Sequence, residues 1–245
     1  MTARIEHLVT SGTFRLDGGS WEVDNNVWLI GDDREVLVID AAHDAEAIAA
    51  AVGDRRLVAI VCTHAHNDHV GAAPALATRT GAPILLHPAD EVLWKAAHAP
   101  RVPGYWELID GEELTVAGIR LHVLHTPGHS PGAVCLYAPE LDALFSGDTL
   151  FQGGPGATGR SYSDFDTIIG SIRTRLLTLP ADTTVHTGHG PTTSIGAEAL
   201  RDGPSSVCGA VVAGRSPSLD FARAGGPPSR RSRRSIQPRA PLGGC

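Results

Sequence analysis

Thr63-His64-Ala65-His66-Asn67-Asp68-His69 places four metal-capable side chains within six residues, directly after the apolar run Leu57–Cys62. His64 and His66 are two residues apart, so in an extended segment both rings point the same way. Asp68 and His69 follow at once, and four such donors can serve two neighbouring ions. Imidazole and carboxylate suit Zn²⁺, Fe or Mn²⁺, and the lack of a thiolate suits a catalytic site rather than a structural one. Imidazoles repel one another when crowded, so this run has little reason to exist without a metal.

Three further clusters follow the same plan, each behind a strand-like apolar run. Ile119–Leu124 leads into His125-Thr126-Pro127-Gly128-His129, Ala143–Phe145 into Ser146-Gly147-Asp148, and Thr184–Thr187 into Gly188-His189-Gly190. In layered α/β proteins ligands gather beyond the carboxyl ends of strands, so four polar clusters at such ends predict one shared site. The Pro and Gly residues around His129 force a tight turn that fixes its imidazole. A carboxylate at the end of a buried strand, as at Asp148, is costly unless a cation or donors compensate it. Gly188 and Gly190 let the chain around His189 approach a site closely.

The rest of the first 200 residues alternates strands and helices. Strands are predicted at 27–30, 36–39, 57–62, 84–86, 119–124, 133–137, 143–145 and 185–187. Helices are predicted at 44–52, 71–80, 89–97, 164–179 and 194–200. In the fourth helix Phe165, Ile168, Ile169, Ile172, Leu176 and Leu179 recur at spacings of three and four, with Asp164 or Ser163 to cap it and Pro180 to end it. The mixture predicts an α/β layered architecture.

The 245 residues suit one large domain. The net charge of -7 is unevenly spread: residues 1–200 carry -13, and residues 201–245 carry eight arginines against two acids. Pro, Gly and Ser fill 20 of those last 45 positions. The domain expected is therefore 1–200, with a disordered Arg/Pro/Gly-rich tail over 201–245. An acidic body offers no footprint for nucleic acid. No run is long enough to span a membrane, and MTARIEHLVT has no apolar leader core. Four cysteines without a paired spacing read as reduced thiols, which predicts a cytoplasmic protein.

The order HxHxDH, TPGH, GD, GH resembles the metallo-β-lactamase superfamily over residues 1 to about 200, with an α/β fold of the αβ/βα four-layer sandwich type. The resemblance implies that His64, His66 and His129 bind one metal, that Asp68, His69 and His189 bind a second, and that Asp148 bridges them. Asp40, at the end of an early strand, would support the HxHxDH loop without binding metal. Asp148, where some β-lactamases have Cys, and the run Gly147-Asp148-Thr149-Leu150-Phe151 followed by glycines and Arg160 look like the glyoxalase II-type hydrolases. The cofactors implied are two divalent ions, zinc first, with iron or manganese compatible.

That likeness implies hydrolysis of a small-molecule thioester by metal-bound hydroxide. Asp68 would orient the nucleophile, and no Ser or Cys nucleophile would be needed. Arg160, with Tyr162 beside it, would contact an anionic thiol carrier. Glyoxalase II adds a C-terminal helical domain that grips glutathione, and here only 56 residues follow His189. The chain also looks like short bacterial hydrolases that use mycothiol. The rival enzyme is a mono-iron persulfide dioxygenase, whose iron would lie on His64, His129 and Asp148. The alternative from another class is a metal-dependent, non-catalytic binding module. His122, His125 and His186 are expected to be packing residues, and His7, His43, His87 and His98 to lie on the surface or in loops.

Overall fold

The structure is a computed structural model that describes residues 2–200; the tail expected over 201–245 lies outside the described residues. Strands β1 (Arg4–Leu16), β2 (Gly19–Gly31), β3 (Glu35–Ile39), β4 (Arg56–Val61), β5 (Ile84–Leu86) and β6 (Trp106–Glu107) form one sheet in that order. The second sheet contains β7 (Glu113–Val116), β8 (Ile119–His125), β9 (Val134–Ala138) and β10 (Ala143–Gly147). Strands β11 (Leu150–Phe151) and β12 (Gly154–Pro155) make a separate small ladder, and β13 (Thr184–Thr187) and β14 (Thr193–Ser194) complete the second sheet in the order β14-β13-β10-β9-β8-β7. Helices α1 (Ala45–Val52), α2 (Asn67–Val70), α3 (Ala73–Thr80), α4 (Glu91–His98), α5 (Phe165–Ser171) and α6 (Ile195–Ala199) lie between them in the chain.

The alternation along β3 explains the layering. Val36 and Val38 face Ile48, Val52, Leu76 and Trp94 under the helices. Leu37 and Ile39 face Trp28, Val123, Val134 and Phe145 between the two sheets. A strand buried on both faces reads as a continuous apolar run, which is why its sequence shows no alternation. The outer face of the second sheet, with Cys135, Leu144 and Val185, is covered by Ile168, Ile172 and Leu176 from α5 and the turn after it, and by Ile195 of α6. Helix, sheet, sheet and helix thus stack as the four expected layers.

Several elements differ from the sequence reading, among them β7, which no predicted strand covers. Residues 4–26 belong to a long hairpin that the apolar runs did not mark, paired from Arg4↔Gly31 to Leu16↔Gly19. Its two-residue loop is Asp17-Gly18, both with positive φ (51° and 77°), the geometry whose twist matches a hairpin. The helix expected over 164–179 is α-helical only to Ser171. Residues Ile172–Leu176 then widen into a π-helical stretch, closed by Leu177 N–H on the Ile172 carbonyl. Ile168, Ile172 and Leu176 stay buried, but Phe165 turns outward and is 57% exposed. Asp164 caps the helix by accepting from Thr167 N–H at 2.7 Å.

Strand direction positions the site. β3, β4 and β5 run parallel, as do β10 and β13, so their carboxyl ends share an edge. There the two sheets are joined by Val134 N–H on the Thr63 carbonyl and Asn26 N–H on the Gly188 carbonyl, both at 2.8 Å. No described helix is long and apolar enough to cross a membrane. Cys62 and Cys135 are buried, unpaired thiols.

Candidate metal centre

After β4 the chain bends at Thr63 and His64, is extended at His66, and then makes the single helical turn α2. This local switch sets the direction of four side chains. His64 Nε2 and His66 Nδ1 approach to 3.0 Å, with the rings nearly perpendicular at 85°. The turn after β8 brings His129 Nε2 to 3.0 Å from the same His66 Nδ1. Asp68 and His69, on α2, converge with His189, which follows β13. His69 Nε2 lies 3.1 Å from His189 Nε2, and Asp68 Oδ2 lies 3.6 Å and 3.4 Å from those two nitrogens. Asp148, after β10, stands between the groups. Its Oδ2 is 3.5 Å from both His129 Nε2 and His189 Nε2, and its Oδ1 is 3.4 Å from His69 Nε2.

Three of the outward nitrogens are engaged. His129 Nδ1 donates to the Ala157 carbonyl at 2.8 Å, and His189 Nδ1 to the Asp24 carbonyl at 2.7 Å. His69 Nδ1 donates to Asp40 Oδ2 at 2.9 Å. Such bonds fix the tautomer and leave each Nε2 lone pair facing inward. Asp40 also accepts from Thr63 N–H and Thr63 Oγ1, each at 2.7 Å. With both oxygens occupied, and facing the outward nitrogen of His69, Asp40 braces the loop.

The electrostatics are those of a cation site. Burial, with His69, His66 and His129 nearby, holds His64 well below the usual histidine range, and burial with the same crowding brings His66 to about 3. Both rings are therefore neutral donors at neutral pH. Burial alone would raise Asp68 and Asp148, but the surrounding histidines outweigh it and hold both carboxyls below their ordinary value. Conversely, burial opposes protonation of His69 and His189, and Asp148 and Asp68 overcome it.

Two buried carboxylate oxygens here, Asp68 Oδ1 and Asp148 Oδ1, have no hydrogen-bond partner, and neither has His66 Nε2, the nitrogen turned away from His64 and His129. Buried atoms of this kind cost free energy unless something binds them. His66 Nδ1 also faces two Nε2 atoms at once, and a single proton can satisfy only one of those contacts. Divalent cations fit the donor set: His64, His66 and His129 form one group, and Asp68, His69 and His189 another, with donor atoms of each group within 4.8 Å of one another.

Gly188 explains how the second group closes. A Cβ there would overlap Asp148 Oδ1 and lie 2.8 Å from His69 Cε1. Gly188→Ala is expected to destabilise the protein by about 1–3 kcal/mol through overpacking, measured by denaturant unfolding. A change under a few tenths would show that the contact relaxes freely.

The residues expected to contact substrate lie farther out. The Arg160 guanidinium rests 4.1 Å from the Trp21 ring centroid. Trp21 stacks on Phe14 at 5.6 Å, and Phe14 meets the His66 ring edge-on at 5.2 Å. Arg160 thus reaches the centre through two aromatic rings. Tyr162 is 53% exposed. The loop between β12 and α5 has a further task, since its Ala157 carbonyl orients His129.

Four residues escaped the sequence reading. His43, expected on the surface or in a loop, lies in the loop after β3 but is half-buried and bonds Asn25 Oδ1 at 2.7 Å, while Asn25 Nδ2 donates to Asp68 Oδ2 at 3.2 Å. Asn67 grips the hairpin, donating to the Thr13 carbonyl at 2.6 Å and accepting from Arg15 N–H at 2.7 Å. Asp90 is the fourth. Of the other histidines expected on the surface or in loops, His7 is exposed while its ring stacks on Trp28, and His87, in a loop, and His98 are partly buried against His125 and Trp94. His186 lies between Trp28 and Phe145, as a packing residue should.

A family model described as the metallo-β-lactamase superfamily matches residues 21–189. The chain is 37% identical over 185 residues to the probable metallo-hydrolase YqgX of Bacillus subtilis, spanning 70% of this chain and 87% of that one. It is 37% identical over 188 residues to the hydroxyacylglutathione hydrolase GloC of Haemophilus influenzae, spanning 71% and 89%. A crystal structure of TTHA1623 in a di-iron-bound form is similar, with 36% identity and a TM-score of 0.66 over 75% of this chain and 96% of that one.

Proposed function

The chain belongs to the metallo-β-lactamase superfamily, and from that premise we propose that residues 1–200 form a binuclear metal-dependent hydrolase of thioesters of a low-molecular-weight thiol. The observation that carries this reading is the position of Asp148, within 3.5 Å of His129 on one side and of His69 and His189 on the other. A carboxylate between two donor groups suits two ions sharing one ligand. The likeness to a hydroxyacylglutathione hydrolase supports the thioester.

His64, His66 and His129 would hold the first ion, Asp68, His69 and His189 the second, and Asp148 would contact both. Zinc is the first choice, with iron or manganese compatible with the same donors. When bound, such ions supply Lewis acidity and lower the pKa of a water from 15.7 to about 7. The chain's own contribution begins with Asp68. Its buried Oδ1 has no partner and would accept a hydrogen bond from an attacking water, orienting it. Asn25 and His43 hold that carboxylate in place. A thiolate is a good leaving group, so no general acid is required at the departing sulfur. Arg160 would attract the anionic end of the thiol carrier, and Tyr162 would border it. A mycothiol thioester is part of this proposal, resting on the resemblance to short bacterial hydrolases that use mycothiol. So is a cytoplasmic location, which the two unpaired buried thiols favour.

The test is elemental analysis of the purified protein beside a substrate panel. About two ions per chain and turnover of thioesters, fastest with mycothiol adducts, are expected. Asp68→Ala should lower kcat by about 10²- to 10⁴-fold. One iron per chain, with oxygen uptake on a persulfide, would assign the protein to the dioxygenases. Ion binding with no turnover of any substrate would favour a binding module.

A further inference from the structure

Asp90 has no place in the ligand set, yet it is 0% exposed and sits between the two segments that carry the first group of histidines. Its Oδ2 accepts from Ala65 N–H at 2.9 Å and from the Ser130 hydroxyl at 2.8 Å, and its Oδ1 accepts from Gly132 N–H at 2.5 Å. Ala65 separates His64 from His66, while Ser130 and Gly132 follow His129 in its turn. The fit depends on glycine: a Cβ on Gly132 would lie 2.7 Å from Asp90 N and 2.9 Å from its Cβ and Cγ. Asp90 precedes α4, where an aspartate normally caps a helix, but its side chain makes no capping bond. Both oxygens are committed to the two loops instead.

We propose that Asp90 is a positioning residue for the first ion: by bracing the Ala65 and Ser130–Gly132 backbones together, it holds His64, His66 and His129 at the separation a divalent cation requires. Nothing else described joins these two segments through one side chain with three acceptor contacts. Asp40 acts differently: it bonds the His69 ring of the second group directly and reaches the first group only through Thr63, whose hydroxyl lies 3.2 Å from His64 Nδ1. The inference rests on the reading that the three histidines hold an ion.

The test is Zn²⁺ titration of the ion-free protein against a chromophoric chelator, for wild type, Asp90→Asn and Ser130→Ala, with thermal unfolding alongside. Asparagine keeps the size of Asp90 but turns an amide N–H toward a backbone N–H, so one brace is lost. Asp90→Asn is expected to weaken one of two ions by about 10- to 100-fold and to leave the other nearly unchanged. Ser130→Ala should move the same ion in the same direction by less. A purely structural role would lower the unfolding temperature and weaken both ions alike, and that result would overturn the proposal. So would unchanged affinities in both variants. Should Asp90→Asn fail to fold, Ser130→Ala decides alone, because it leaves the other two bonds in place. A wild type that binds no ion refutes the metal centre itself; a wild type that binds two, beside variants that bind identically, refutes only the role of Asp90.

Discussion

Asp148→Asn is expected to lower kcat/KM by about 10³-fold, or about 4 kcal/mol of transition-state stabilisation, and to reduce the bound metal from two ions per chain toward one. The reason lies in the charge the centre must balance. Two divalent ions bring four positive charges, and the proposed ligands bring two negative ones, from Asp68 and Asp148. The substitution would remove one of those and would present an N–H₂ group to at least one of His69, His129 and His189. Each of those nitrogens now lies 3.4–3.5 Å from a carboxylate oxygen. The amide has nearly the size of the carboxylate, so the loss would report on charge and lone pairs rather than on a cavity. Steady-state kinetics on metal-loaded protein, with elemental analysis of the same sample, check both halves. An Asp148→Asn variant that retained two ions and near-normal turnover would remove the bridge from the mechanism.

Much of this arrangement was legible in the sequence, for a specific reason. Strands buried on both faces, such as β3 and β4, are continuous apolar runs, and the residues just past them are the ones a layered sheet exposes to a shared edge. Histidine and aspartate at four such places could be grouped without knowing a single distance. The hairpin of β1 and β2 was missed because its outer part is only partly buried, so polar Thr10, Ser11 and Thr13 interrupt any apolar pattern. Its signal was Asp17-Gly18, a pair suited to a two-residue loop. The supporting residues were missed for another reason. Asp90 and Asn67 act largely on backbone groups, Asn25 acts on the side chains of His43 and Asp68, and the partners come from distant segments. In sequence Asp90 is an ordinary helix-start aspartate. His43 reads as a loop histidine, and only the fold brings it to Asn25. The π-helical widening after Ser171 likewise has no counterpart in the spacing of apolar residues, which fits a regular helix through Leu179.

Removing the ions should cost the protein a large part of its stability. A ligand that binds only the folded state at a free concentration about 100 times its Kd contributes about 2.7 kcal/mol, so two ions contribute about 5 kcal/mol. For a chain of this size each kcal/mol moves the midpoint of thermal unfolding by about 2–4 °C, so stripping the ions is expected to lower it by about 10–20 °C. The centre explains why the folded state bears this cost. Without a cation it must keep Asp68 Oδ1 and Asp148 Oδ1 buried and unbonded, and it must crowd His64, His66 and His129 around one point. Protons can stand in only partly, by charging His69 and His189 against the two carboxylates. Since ligating imidazoles must lose their protons to bind a cation, the stabilisation by metal should shrink as pH falls through the histidine range. Calorimetry with and without chelator at two pH values tests this. Asp148→Asn links it to the kinetic prediction: with one ion fewer to lose, that variant should respond to chelator by roughly half the wild-type shift. A wild-type midpoint that does not move, in protein shown to have lost its metal, would mean that the fold carries these buried groups by some other compensation.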